Sequence, residues 1–303
     1  MQFSRGVLTV AHGHLQYAEY ARDLARSIRF HGAATPLAVA TDLPHSEFAG
    51  LFDHVIEWDF SQYPRLMSKL EIYDASPFDA TLFIDSDCFV LQPLAATFRY
   101  FGDCDFNVYG RMMRRPGWFQ YNFDNIHAST PAEAYPVFNG GVYFFRKSAL
   151  AARIFRRAKE LRREYKSLRL PITSKGIAEE PLISIAMAEV GLAPADMRTL
   201  DVMYFVSGGY RSLCVDVVRG KASVFAGDRL VHPHIVHFAH PWTGSYLHRR
   251  ESRRMALAYA KGMHSTLTRS EEAIARASAV AAILGRKARN VRDRVHRRLR
   301  AVF

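Results

Sequence analysis

With 303 residues, 49% of them apolar and 23% charged, the chain has material for one large α/β core or a main domain with an appendage, which excludes an intrinsically disordered protein. The start MQFSRGVLTVAHGH carries too short an apolar run for a signal-peptide core, and no stretch approaches the ~20 apolar residues of a membrane span, so a soluble, cytoplasmic protein is expected. Cys88, Cys104 and Cys214 lack CxxC pairing, which speaks against a disulfide framework or a zinc site. The net charge of +12 is unevenly placed: residues 249–303 hold 15 Lys or Arg against 4 acids, leaving a nearly neutral body of 26 against 25.

In chain order, VLTVA (7–11), PLAVAT (36–41), HVIEW (54–58), TLFID (81–85) and DFNVY (105–109) are short apolar runs with strand character. Helical periodicity lies between several of them, as in Tyr17, Ala21, Leu24 and Ile28. This alternation predicts a largely parallel sheet covered by helices, with ligands gathered beyond the carboxyl ends of its strands. A polar and aromatic stretch from Arg111 to Tyr135 lacks periodicity and reads as a lid or binding loop. VFNGGVYFFRKS follows, a strand interrupted at Asn139, Gly140 and Gly141, a pattern that also marks β-bulges. A basic helix is expected from Ala149 to Lys166, and another in EEPLISIAMAEVG, with Pro181 in its first turn and Gly191 as its stop. The runs MYFVS and HIVHFAH close the body, and no internal repeat is visible.

Asp85 and Asp87 stand one residue apart at the end of TLFID. Two carboxylates held together without a counter-charge raise each other's pKa; Mg²⁺ or Mn²⁺ removes that penalty, prefers oxygen ligands and keeps positions open for substrate phosphates. A metal bridging this pair to a diphosphate would neutralise a departing nucleotide. A lone DxD also occurs in surface turns, but here it is flanked by the apolar runs TLFI and CFVLQPL. Carboxylates so close to buried positions require a function.

The order SKLEIYDASPFDATLFIDSDCFV, FNGGVYFF, EEPLISIAMAEVGL and IVHFAHPW, spanning residues 5 to 245, resembles nucleotide-sugar glycosyltransferases of the GT-A fold, specifically the glycogenin-like and bacterial lipopolysaccharide glycosyltransferase families. The resemblance implies a Rossmann-like mixed α/β sheet flanked by helices over 1–248, with a nucleotide-binding half (1–110), an acceptor half (111–248) and a basic helical tail (249–303). It implies that Asp85, Asp87 and His237 bind Mn²⁺ or Mg²⁺, and that Lys69 faces the donor, with Ser86 beside it. It places the nucleoside of a UDP-sugar near Ala11, His12, Tyr17 and Asp42, although periodicity alone makes Tyr17 a core position. Asn139 and Gly140 would line the sugar, and Glu179 or Glu180 the acceptor, a glycan or lipid-linked saccharide; both glutamates also suit the positive end of a helix dipole. His237 has His232, His234 and His240 as near neighbours. Two departures stand out: Gly140 replaces a more usual Ser, and HFAHPW lacks a lysine that contacts the diphosphate, a loss that Lys69, His240 or an arginine of 111–115 would have to cover. The implied reaction retains anomeric configuration.

Two other classes share parts of this pattern. Phosphohydrolases of the haloacid-dehalogenase type use a strand-end DxD with Mg²⁺, but want Thr or Val where this chain has Phe89. A non-catalytic carbohydrate- or membrane-binding protein on the same scaffold would not need the aspartate pair. In the tail, Ile274, Ala277, Ala281, Leu284, Ala288, Val291, Val295, Leu299 and Val302 form a helical stripe opposite a cationic face, so 270–303 is expected to bind an anionic membrane surface at the inner face of the cell membrane or to pack on the body. The neutral body and the lack of a nucleic-acid module weigh against nucleic-acid binding.

Overall fold

The computed structural model describes residues 5–32, 34–63, 65–114, 126–127, 130, 132–170, 176–206, 213–226 and 229–261. The chain opens with β1 (Arg5–Ala11), α1 (Leu15–Gly32), β2 (Leu37–Thr41) and β3 (His54–Glu57). A 3₁₀ segment, Arg65–Glu71, leads through the short α2 (Ile72–Ala75) to β4 (Ala80–Ile84), β5 (Cys88–Val90), α3 (Ala95–Phe101) and β6 (Phe106–Met113). Then come β7 (Tyr135–Arg146), α4 (Ala149–Arg163), α5 (Glu180–Glu189), β8 (Ala195–Asp196) and β9 (Met203–Phe205). The described part ends with β10 (Cys214–Asp216), β11 (Lys221–Ala226), β12 (Arg229–Val231), β13 (Ile235–His237) and α6 (Tyr246–Lys261).

Seven strands form the main sheet in the order β3-β2-β1-β4-β7-β6-β8. β1, β2, β3 and β4 run parallel, whereas β7 is antiparallel to both β4 and β6, so the sheet is mixed. Every residue of β2 and β4 is buried, which is why these strands read as unbroken apolar runs: helices cover both faces. α1 turns Ala18, Ala21, Leu24, Ala25 and Ile28 inward. α4 starts where the Ser148 hydroxyl caps the Ala151 amide at 3.2 Å, and buries Ile154, Phe155, Ala158 and Leu161 at spacings of three and four. Burying a Phe155 or Ile154 side chain is worth about 1.5–3 kcal/mol. α5 is buried almost all round and is correspondingly apolar.

Two features of this frame position the site. β1, β2 and β4 end at the same edge, with Ala11 beside Thr41 and Ile84 as the last residue of β4. β7 overshoots that edge: Val142 pairs with Ile84, so Asn139, Gly140 and Gly141 extend past the end of β4. There β7 also bulges, since Tyr143 pairs with Val108 and Phe138 with Gly110, leaving Tyr109 alone opposite Asn139–Val142. The second feature is a small sheet, β5-β13-β9, in which β13 is antiparallel to β5 and pairs His237 with Cys88.

The charge boundary at 248/249 falls inside α6, which begins at Tyr246 and packs on α1. Met255, Ala258 and Glu251 are buried, and the Glu251 carboxylate accepts the Val217 amide at 2.8 Å. The stripe from Ile274 to Val302 lies outside the described residues, as do 115–125 of the expected lid, while Arg111–Met113 extend β6. No helix among the described residues is long and apolar enough to cross a membrane.

Candidate active site

The triplet Asp85-Ser86-Asp87 is a tight turn on the seam between the two sheets. The Asp85 amide donates to the Gly141 carbonyl at 3.0 Å, tying the end of β4 to the bulge of β7, and the Cys88 amide closes the turn on the Asp85 carbonyl at 3.1 Å. Asp87 then lies beside β13, where the Phe238 amide donates to its carbonyl at 3.0 Å. Residues about 150 positions apart therefore meet through strand register. His237 Nε2 lies 3.4 Å from Asp85 Oδ2 and 3.1 Å from Asp87 Oδ1.

Asp87, Cys88 and His237 bring potential ligand atoms within 4.8 Å of one another. Burial, reinforced by Asp87 and Asp85, pushes the Cys88 thiol well above its ordinary pKa, and a thiol is a soft donor that hard, oxygen-preferring cations do not favour. The usable donors are thus one imidazole nitrogen and carboxylate oxygens, a set that fits Mn²⁺ or Mg²⁺.

Behind Asp85 sits a buried charge network. Lys69 Nζ contacts Asp85 Oδ2 at 2.8 Å, the Gly140 carbonyl at 2.9 Å and Glu179 Oε1 at 3.1 Å. These three contacts account for the three ammonium hydrogens. Burial works against the ammonium, but Asp85, Glu179 and Glu180 outweigh it and raise its pKa. Glu179 is raised by burial against the pull of Lys69, and also accepts the Tyr143 hydroxyl at 3.3 Å. Glu180 is pushed up to about 8, first by burial and then by Glu179, and its carboxyl accepts the Gly140 amide at 2.6 Å. Glu179 makes no capping bond to the amides of α5; both glutamates are turned to this network. A Cβ on Gly140 would lie 2.5 Å from Glu179 Oε1 and 2.9 Å from the Tyr143 hydroxyl. That crowding explains the glycine where a serine is more usual.

A cavity of about 740 Å³ opens over these groups. His12, Tyr17, Lys69, Asp85, Ser86, Asp87, Asn139, Glu179, Glu180 and His237 all line it, so ten of the thirteen sequence candidates converge. Gly140 lies just behind, through its bonds to Lys69 and Glu180. Asp42 is exposed and accepts the Gly13 amide at 2.8 Å, shaping the loop after β1, while Ala11 is fully buried at the end of β1 and does not line the cavity. Tyr17 is not the core residue its periodicity indicates: it is 46% exposed and stacks parallel to His12, which also packs on Phe60. It stands in the first turn of α1, before the helix face meets the sheet.

Several lining residues carry no motif. Arg65, with a left-handed φ of 60°, faces the cavity, and its carbonyl lies 3.4 Å from His12 Nε2. Phe205, on β9 beside β13, packs its ring tilted against His237, with centroids 5.8 Å apart. The Thr243 hydroxyl lies 3.1 Å from Asp87 Oδ2. Only its position after HPW, next to a motif, could have singled it out. The hydrogens of Lys69 are committed; Arg65, His12, His14 and His240 are further basic side chains on the cavity wall. Arg111 and Arg114 do not line it.

The chain matches no protein-family model and no curated protein sequence. Its fold, however, is shared with solved glycosyltransferases. The galactosyltransferase LgtC, crystallised with donor and acceptor sugar analogues, superposes with a TM-score of 0.52 at 15% identity over 88% of this chain and 98% of that one. The bifunctional glycosyltransferase WbbM gives 0.55 at 12% identity, over 88% of this chain and 52% of the larger partner. GlyE of Streptococcus pneumoniae TIGR4 gives 0.52 at 13% identity, covering 86% and 64%. The architecture anticipated from the ordered motifs is therefore present: a mixed α/β sheet flanked by helices, in the GT-A form of these enzymes.

Proposed function

We propose that this chain is a metal-dependent glycosyltransferase that moves a sugar from a UDP-linked donor to a hydroxyl of a glycan or lipid-linked saccharide. The observation that carries the reading is the convergence of His237 Nε2 with the Asp85 and Asp87 carboxylates inside a large cavity, within a fold shared with glycosyltransferases. Asp85, Asp87 and His237 would hold Mn²⁺ or Mg²⁺, which when bound supplies positive charge to a departing diphosphate. Thr243 steadies Asp87, and Lys69 balances Asp85 from behind. His12 and Tyr17 offer a flat aromatic wall for the nucleobase beside the Asp42–Gly13 loop, and Arg65 offers charge to the phosphates. Asn139, Gly140 and the two glutamates bound the sugar side.

This environment supports retention. An inverting transfer needs a carboxylate base within reach of the acceptor hydroxyl. Glu179 is almost fully buried and bonded to Lys69 and Tyr143. Glu180 is protonated up to about pH 8 and bonded to Gly140. With both glutamates engaged in the network behind Asp85, the donor's own leaving phosphate is proposed as the proton acceptor.

A panel of nucleotide sugars assayed for Mn²⁺-dependent hydrolysis tests the proposal. Release of UDP from one or more donors is expected, and no turnover of any donor would overturn it. A phosphoaspartate trapped at Asp85 would instead mark a phosphohydrolase.

The segment 262–303, with 10 Lys or Arg against 3 acids, is proposed to hold the enzyme on an anionic membrane at about 1 kcal/mol per basic residue near the surface. A cytoplasmic enzyme at the inner face of the membrane would meet a lipid-linked acceptor there. Truncation after Lys261 should abolish sedimentation with anionic vesicles; unchanged sedimentation would contradict it.

A further inference from the structure

Asn139 has two partners that together fix a proton. Its Oδ1 accepts the Gly141 amide at 3.1 Å. A backbone N–H can only donate, so the side-chain atom facing it is the amide oxygen rather than the nitrogen. The same oxygen lies 2.7 Å from His237 Nδ1. An oxygen without a proton cannot donate to the ring, so Nδ1 must carry the hydrogen of that bond. In a neutral imidazole the other nitrogen, Nε2, is then bare. Nε2 is the atom 3.4 Å from Asp85 Oδ2 and 3.1 Å from Asp87 Oδ1, so in the neutral ring its lone pair faces the space between them that a cation would take.

We infer that Asn139 is a positioning residue that sets the tautomer of His237, presenting the Nε2 lone pair to the space shared with the two aspartates. The inference rests on the metal-dependent reading above and deepens it: the bulge of β7 serves the cation site rather than only the sugar. Local geometry supports this role. Gly141 has no Cβ because one would lie 2.5 Å from His237 Nδ1 and 3.0 Å from Asn139 Oδ1. The glycine thus leaves room for the hydrogen bond between the two side chains. His237 is only 4% exposed, so water has little access to compete for Nδ1. Imidazole ligands commonly have the non-ligating nitrogen held in this way, and loss of such a partner costs 10–100-fold in metal affinity.

The tautomer is read directly from ¹⁵N-histidine-labelled, metal-free full-length protein by long-range ¹H–¹⁵N correlation at pH 8, with His237 assigned by loss of its signals in His237→Gln. A proton on Nδ1 is expected. A bare Nδ1, with the ring proton on Nε2 alone, overturns the inference. The wild-type measurement needs no variant to fold. Mn²⁺ titrations followed by electron paramagnetic resonance extend the test. Asn139→Ala should weaken Mn²⁺ binding about 10–100-fold, whereas Asn139→Asp, which keeps an acceptor oxygen for both partners, should retain the Nδ1–H form and most of the affinity. Wild-type affinity in Asn139→Ala would contradict the inference. A wild-type protein with the expected tautomer and no Mn²⁺ binding would refute the metal reading while upholding the assignment of the proton.

Discussion

Lys69 shows how one side chain can be legible in type while its partners are not. Its place ahead of the DxD strand marked it as a donor contact, yet its ammonium is committed to Asp85, Glu179 and the Gly140 carbonyl. Lys69→Met would leave buried carboxylates without their counter-charge, at an expected cost of about 3–5 kcal/mol, measured as a lowered urea midpoint. Glu180 makes an opposite contribution with pH. Its folded pKa, raised from 4.5 to about 8, lies above the value it takes when unfolded. The folded chain therefore holds a proton that the unfolded chain has lost, and stability falls as pH rises from about 4.5 to 8. Glu180→Gln should flatten that decline, making the variant relatively more stable at pH 8 than at pH 5. An unchanged pH profile of the urea midpoint would show Glu180 to be ionised in the folded protein.

At the scale of elements, the bulge in β7 joins the cation ligands to the glutamates. Its glycines are required by contact: Gly140 faces Glu179 and Tyr143, and Gly141 faces His237. Gly140→Ser, although it restores a more usual residue, should overpack the network and cost about 1–3 kcal/mol by thermal or urea unfolding. A variant as stable as the parent would show that Glu179 can move aside. The main strands were legible because burial on both faces gives continuous apolar runs, and the interrupted pattern at Asn139–Gly141 correctly marked the bulge. The site was less legible where it depends on long-range register. No local pattern around Cys88 or Ile235 states that β5 and β13 pair, and this pairing brings His237 to Asp87 and carries Thr243 with it. Tyr17 was misread for a related reason: helical spacing identifies one face, but only the packed sheet shows that the first turn of α1 projects beyond it.

For the whole molecule, charge separates a near-neutral body from a basic carboxyl-terminal segment. The body supplies one cavity at the edge where β1, β2 and β4 end, with the small β5-β13-β9 sheet as its second wall. α6, although part of the basic region by charge, is fastened to the body through Glu251, Met255 and Ala258. The central claim is that this cavity binds a nucleotide diphosphate through a cation held by Asp85, Asp87 and His237. Isothermal titration of UDP with and without Mn²⁺, in the parent and in Asp87→Asn, tests it most directly. The expected result is Mn²⁺-dependent binding that weakens in the variant by at least the roughly 100-fold that loss of an outer partner can cost. UDP binding that is independent of Mn²⁺, or equally tight in Asp87→Asn, would contradict the account.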